Sequence, residues 1–204
     1  RVATLFFRHD HALAFRAHQD FVFGFFEVDH LDNARIAARS HQSGFVTKIC
    51  QISTAHTRSA AGDDGWRHVL PNWHLEALCY HLELVRIGKI RRLKIEVPPR
   101  SLKSVCASVA FPAFVLGHDP TAKIITVSYS NDLAAKHAAD CRAVMQAPWY
   151  KALFPETRLS ADKNQESNYE TTRRGYRYAT SVGGTLTGRG GNLIIIDDPL
   201  KPED

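Results

Sequence analysis

The stretch IEVPPRSLKSVCASVAF, residues 95–111, decides how this chain is read. It passes from an apolar segment through Pro98 and Pro99 to Arg100, then to a Lys103-Ser104 pair that opens a helix-like segment. A phosphate-binding loop has this order: a strand, a turn whose backbone N–H groups point inward, and a helix whose N-terminus adds its dipole and free amides. In the general pattern G-x-x-x-x-G-K-[ST], the lysine reaches the β- and γ-phosphates and the hydroxyl holds Mg²⁺. Lys103 and Ser104 stand in those two places, while Leu102 stands where the second glycine would be. Taken alone, the stretch misses the pattern and reads as a proline-terminated strand before an ordinary helix start.

Its complement lies downstream in NLIIIDD, residues 192–198. An unbroken apolar strand belongs at a sheet centre buried on both faces. This one delivers Asp197 and Asp198 to its C-terminal edge. Asp197 would belong to a Mg²⁺ shell, and Asp198 would orient or deprotonate an attacking water. By itself Asp-Asp-Pro is also a capped turn after a strand. The two stretches together, within one domain, point to a P-loop NTPase that binds a nucleoside triphosphate with Mg²⁺.

The intervening sequence supplies the rest of an α/β fold. PNWHLEALCYHLELVRIG (71–88) predicts a helix with Leu75, Leu78, Leu82 and Val85 on one face and Gly88 as its stop. LKIEV (93–97) is a strand, and KSVCASVAFPAFVLG (103–117) is a helix that Pro112 should kink. KIITVS (123–128) is the next strand. A helix follows from Asn131, its expected cap, to about Gln146, with Leu133, His137, Cys141 and Val144 along a stripe. NYETTRRGYRYAT (168–180) predicts two short strands joined at Arg173-Arg174-Gly175. Strands alternating with helices imply a mostly parallel sheet flanked by helices.

Composition bounds what such a fold can be. With 204 residues, 44% of them hydrophobic, the chain can bury a core and is globular rather than disordered. A net charge of +5 from 26 basic and 21 acidic residues, with a pI near 9.1, permits an anionic polymer as partner without demanding one. The four cysteines, Cys50, Cys79, Cys106 and Cys141, are scattered without metal-ligand spacing and read as buried thiols in a reducing compartment. No apolar run approaches the roughly 20 residues a membrane helix needs.

The chain divides near residue 65. All nine prolines lie at or after Pro71, whereas eight of the eleven phenylalanines lie at or before Phe45. Residues 1–65 carry one weak strand pattern at Phe21, Phe23 and Phe25, and a His9/His11 pair with no further ligand at metal spacing. SAAGDDG (59–65) reads as a linker. Two regions are therefore expected, an unassigned 1–65 and a P-loop NTPase domain over 66–204.

The segments NWHLE, VPPRSLKS, FPAFVLGHDP, TVSYSNDLA, WYKALFP and TSVGGTLTGRGGNLIIIDDPLKPED follow one another from about residue 70 to the end. In this order they strongly resemble the ATPase domain of the large terminase subunit of tailed bacteriophages and prophages. Residues 181–204 are the most specific part, and residues 1–65 contribute nothing to it. Loops of the form PPR-x-L-K-S are familiar in that family, so Leu102 counts less as a defect.

The resemblance implies that Pro99, Arg100, Ser101, Leu102, Lys103 and Ser104 form the nucleotide loop, with Arg100 facing the γ-phosphate and Lys103 on the phosphates. It makes Ser104 and Asp197 the Mg²⁺ groups and Asp198 the catalytic carboxylate. Trp73 and His74 fall where such motors carry an adenine-side motif; as plain residues they are a core Trp and a surface His at a helix start. Residues 128–130 (SYS) resemble a DNA-touching position, and Arg189 could complete a neighbouring subunit's site. The implied partners are double-stranded DNA, the small terminase subunit, the portal protein and further copies of the chain, in the cytoplasm of a bacterial host, with no membrane. Large terminases continue into a nuclease domain, which is absent before Asp204, so an incomplete ATPase domain is expected. Two alternatives are a helicase-like nucleic-acid translocase and a truncated prophage remnant that binds nucleotide or partners without turnover.

Overall fold

The computed structural model describes residues 3–8, 73–98, 100–186 and 188–200. The weak strand pattern at 21–25, the His9/His11 pair, the 59–65 linker and Pro99 lie outside them. The described residues form an α/β fold whose elements run, in chain order, β1 (Ala3–Arg8), α1 (Trp73–Arg86), β2 (Arg92–Glu96), a π-helical turn (Val105–Ala110) leading directly into α2 (Phe111–His118), β3 (Lys123–Ser128), α3 (Asn131–Gln146), α4 (Pro148–Leu153), β4 (Leu159–Asn164), β5 (Asn168–Thr171), β6 (Tyr176–Ser181) and β7 (Leu193–Asp197).

One mixed sheet carries the fold, in the order β2-β1-β7-β3-β6-β5-β4. The first five strands of that order run parallel, and β5 and β4 join antiparallel. β7 is central, with β1 on one side and β3 on the other. Its Leu193, Ile195 and Asp197 are buried on one face while Ile194 and Ile196 are half-buried on the other. This is the pattern of a strand covered on both sides, and it places Asp197 in line with two core residues. β1 was not visible as a strand in the sequence. It pairs Phe7 with Ile95 of β2 and with Asp197 of β7, so it occupies the position between the two strands that carry the motifs.

The helices follow their apolar stripes. Leu75, Leu78, Leu82 and Val85 of α1 are all buried, and Gly88 ends that helix at φ +75 with its N–H on the Val85 carbonyl. This is the left-handed stop that glycine adopts without a Cβ penalty. In α3, His137, Cys141 and Val144 are buried and Leu133 is half-buried. The cap of α3 is Ser130 rather than Asn131: Ser130 is extended, and its Oγ accepts the Leu133 N–H at 3.2 Å. Both residue types cap well, and backbone conformation selects the serine.

Pro112 bends the helix less simply than a kink. The preceding turn opens into π geometry, with the Phe111 N–H on the Cys106 carbonyl. Proline cannot return an N–H to the carbonyl four residues earlier. That carbonyl, on Ser108, instead accepts Nη2 of Arg177 at 3.0 Å. The antiparallel hairpin expected around Arg173-Arg174-Gly175 is present, with Arg174 at φ +70 in its turn. Among the described residues, no helix is long and apolar enough to cross a membrane.

Candidate functional site

Parallel strands all present their C-terminal ends on one edge, and ligands of open α/β sheets bind there. The loop after β2, the aspartates after β7 and the turns after β3 and β6 share that edge. The chain leaves β2 after Glu96, and in the helix that follows the Cys106 N–H donates to the Leu102 carbonyl, at 2.9 Å. The first turn of that helix carries the positive end of its dipole.

Two non-glycine residues of this loop are left-handed, Arg100 at φ +64 and Leu102 at φ +59. Leu102 is thus in the conformation that glycine adopts freely at the corresponding place of the general pattern. A left-handed residue with a Cβ costs about 1–2 kcal/mol. Packing of the half-buried Leu102 side chain against the core offsets part of it.

Lys103 is 4% exposed. A buried ammonium group needs an opposite charge. Its Nζ lies 2.5 Å from Oδ1 of Asp198 and 3.7 Å from Oδ1 of Asp197. The loop after β2 thus meets the end of β7 across the intervening β1. The two aspartates differ in setting. Asp197 is buried and continues the inward face of its strand. Asp198 is half-buried, is left-handed at φ +45, and accepts the Tyr129 N–H on its carbonyl at 3.1 Å.

Asp197 is held from behind. Its Oδ2 accepts the Ser108 hydroxyl at 2.7 Å and lies 3.7 Å from Nδ1 of His137. Burial pushes the His137 imidazole below its usual range, the Asp197 carboxylate opposes that shift, and the Arg177 guanidinium reinforces it. Oδ1 of Asp197 is buried and accepts no hydrogen bond.

The expected site residues are thus brought together unevenly. Lys103, Asp197 and Asp198 converge. Ser104 sits half-buried on the same first turn, but the hydroxyl bonded to Asp197 belongs to Ser108. Arg100 is exposed on the loop and Ser101 is half-buried. Trp73 and His74 open α1, which packs on β2 and on the π-helical turn. The short return at 87–91 sends α1 back along β2, so its first turn faces the same edge.

The SYS turn splits. Ser128 ends β3 level with Asp197, Tyr129 is 38% exposed, and Ser130 is the helix cap. Arg189 stacks over the Tyr178 ring of its own chain, 4.1 Å from the centroid.

Ser108, His137 and Arg177 were not identified as site residues from the sequence. His137 was legible only as part of a helical stripe. Ser108 lies five residues after Lys103, a spacing that meets on one face only when the helix opens into a π-turn.

Among the described residues, no group of three or more His, Cys, Asp or Glu could hold a metal ion. Mg²⁺ does not require one, since it is commonly held by one or two carboxylates with waters and substrate phosphates. The buried, unbonded Oδ1 of Asp197 fits such a role. Comparison of the chain with family models, with curated proteins and with solved structures finds no match. Chemically, the arrangement offers a cation, a buried carboxylate with an unbonded oxygen, a second, half-buried carboxylate, and a helix N-terminus. That set suits a polyphosphate with its cation.

Proposed function

We propose that this chain is a P-loop ATPase acting on Mg·ATP, the motor domain of a viral DNA-packaging terminase large subunit. One observation carries the reading: Lys103, on the first helical turn after β2, meets Asp198 and Asp197 at the end of β7, 95 residues away in sequence. A lysine, two aspartates and a helix N-terminus on the C-terminal edge of a parallel sheet are the groups that phosphoryl transfer uses for positioning and charge stabilisation.

In this reading the nucleotide phosphates take the place of Asp198 as the partner of Lys103. That exchange frees the Asp198 carboxylate to accept a proton from, or to orient, the attacking water. Asp197 stays fixed by Ser108 and offers Oδ1 to the cation, together with Ser104 from the first turn. Bound Mg²⁺ would supply charge neutralisation on the β- and γ-phosphates. Arg100, exposed on the loop, is free to turn toward the γ-phosphate. Double-stranded DNA, the small terminase subunit, the portal protein and assembly with further copies of the full-length chain in the host cytoplasm follow from the resemblance of residues 70–204. Tyr129, in the turn after β3 at that edge, and Arg189, on the return from β6 to β7 where it lies over Tyr178, are the residues of this chain offered to those partners.

Calorimetry with Mg·ATP tests the reading. Lys103→Ala should lose about 1.5–3 kcal/mol, the worth of a charge-assisted contact. Equal affinity in the variant and the unaltered chain overturns the assignment.

A further inference from the structure

We infer that Ser108 is a positioning residue for Asp197, brought into place by the π-helical turn between Lys103 and Pro112. The inference rests on the P-loop reading above and adds a residue that the phosphate-loop pattern does not contain. In a regular α-helix, residues five apart point about 140° away from each other. Lys103 and Ser108 would then face different surroundings. Hydrogen bonds of the i→i+5 type widen the turn and bring residues five apart onto one face. The turn Val105–Ala110 has this geometry. Lys103 and Ser108 accordingly both reach the end of β7, one to Asp198 and the other to Asp197.

The cause of the turn lies in the chain itself. Pro112 removes one helical N–H and crowds the carbonyl of Ser108. Arg177 of β6, fully buried, accepts the role of partner and donates Nη2 to that carbonyl. Nε and Nη1 of Arg177 make no hydrogen bond. A buried guanidinium with two unsatisfied donors is costly, yet its third donor is spent on the backbone of Ser108.

The consequence falls on Asp197. Ser108, 1% exposed, has a single hydroxyl proton and donates it to Oδ2. A carboxylate is planar, so fixing one oxygen fixes the direction of the other. The oxygen left over is Oδ1, unbonded and 3.7 Å from Lys103 Nζ. Ser108 therefore keeps the cation-facing oxygen of Asp197 aimed into the site. Outer partners of this kind commonly set metal affinity by about 10–100-fold.

The test is a double-mutant cycle read by calorimetry, using ADP with Mg²⁺ and ADP in EDTA, on Ser108→Ala, Asp197→Asn and the double variant. The unaltered chain should bind ADP more tightly with Mg²⁺. Ser108→Ala should cut that Mg²⁺-dependent gain about tenfold and leave affinity in EDTA unchanged, and it should add nothing in the Asp197→Asn background. Ser108→Cys, nearly isosteric with a weak S–H donor, should show a smaller cut, and it stands in if the alanine variant does not fold. A full gain in Ser108→Ala, or in Ser108→Cys where that variant stands in, overturns the inference alone. So does an effect of Ser108→Ala that persists undiminished beside Asp197→Asn. If the unaltered chain shows no Mg²⁺-dependent gain, the P-loop reading falls and the inference with it.

Discussion

Replacing Lys103 by methionine tests the centre of the site without any nucleotide. Lys103 is 4% exposed, and the two carboxylate side chains it faces are 2% (Asp197) and 16% (Asp198) exposed. Removing one partner of a buried ion pair costs about 3–5 kcal/mol, because the charge left behind has lost both water and its counter-ion. Two features place this case at the lower end. Asp198 keeps some contact with solvent, and the positive end of the helix dipole beside it favours negative charge. A loss of about 3 kcal/mol is therefore expected for Lys103→Met. Arg173→Met is the control, since Arg173 and Glu156 are 3.0 Å apart but 58% and 76% exposed, and such pairs contribute about 0–1 kcal/mol. Urea unfolding followed by circular dichroism reads both. Lys103→Met combined with Asp198→Asn should recover part of the loss, because the orphaned charge has gone. A single-variant loss below about 1 kcal/mol, as for an exposed pair, would refute the reasoning and mean that Lys103 turns to solvent.

Four further outcomes follow from separate parts of the structure. Asp197→Asn should weaken Mg²⁺-dependent nucleotide binding, whereas Asp198→Asn should spare binding and lower turnover; an unchanged ATPase rate in Asp198→Asn would move the base elsewhere. Leu102→Gly should be tolerated better than Leu102→Val, although valine retains more apolar surface, because φ +59 penalises a β-branched side chain most; thermal melts in the opposite order would refute the strain at this position. Gly175→Ala should destabilise the chain by about 1–3 kcal/mol, since a Cβ there meets the backbone carbonyls of Pro120 and Ala122, the latter at 2.7 Å; wild-type stability on urea unfolding would count against that packing. Burial holds the His118 imidazole below its usual 6.5, with Arg86 acting in the same sense and Glu83 against it; folding favours the neutral form, so stability from this group is intact above pH 6.5 and declines as pH falls below it. Its proton NMR midpoint should lie under 6.5 and rise in Arg86→Gln, and a midpoint at or above 6.5 contradicts the assignment.

Sequence patterning identified the elements whose signals are local. KIITVS alternates too little to be anything but a buried strand, and β3 covers the same six residues. The Asn131–Gln146 helix matched because its apolar stripe is encoded within it. Three features were illegible for physical reasons. β1 lies between strands that are distant from it in sequence, so nothing within residues 3–8 announces its partners. The π-turn depends on Pro112 together with Arg177, a tertiary contact that no periodicity records. Leu102 looked like a defect because the glycine of the general pattern stands for a backbone angle, and here a leucine packed against the core adopts that angle.

The order of the sheet adds weight to the meeting of Lys103 with the aspartates. If β2 and β7 were neighbours, any lysine just beyond β2 would fall near any residue just beyond β7. They are not neighbours, since β1 separates them and sets them two strand spacings, about 9–10 Å, apart. To meet Asp198, Lys103 must lie across the position of β1 from the end of β2. The two left-handed residues, Arg100 and Leu102, occur in that crossing. Their strain is the local cost of the turn, and the buried Lys103–Asp198 contact is what it achieves. A loop serving only to connect a strand to a helix has no need of such a path, because a less strained turn would start the helix directly above β2. The geometry agrees with the proposed reading, in which a cation and a helix N-terminus stand beside two carboxylates to meet a phosphate with its metal ion.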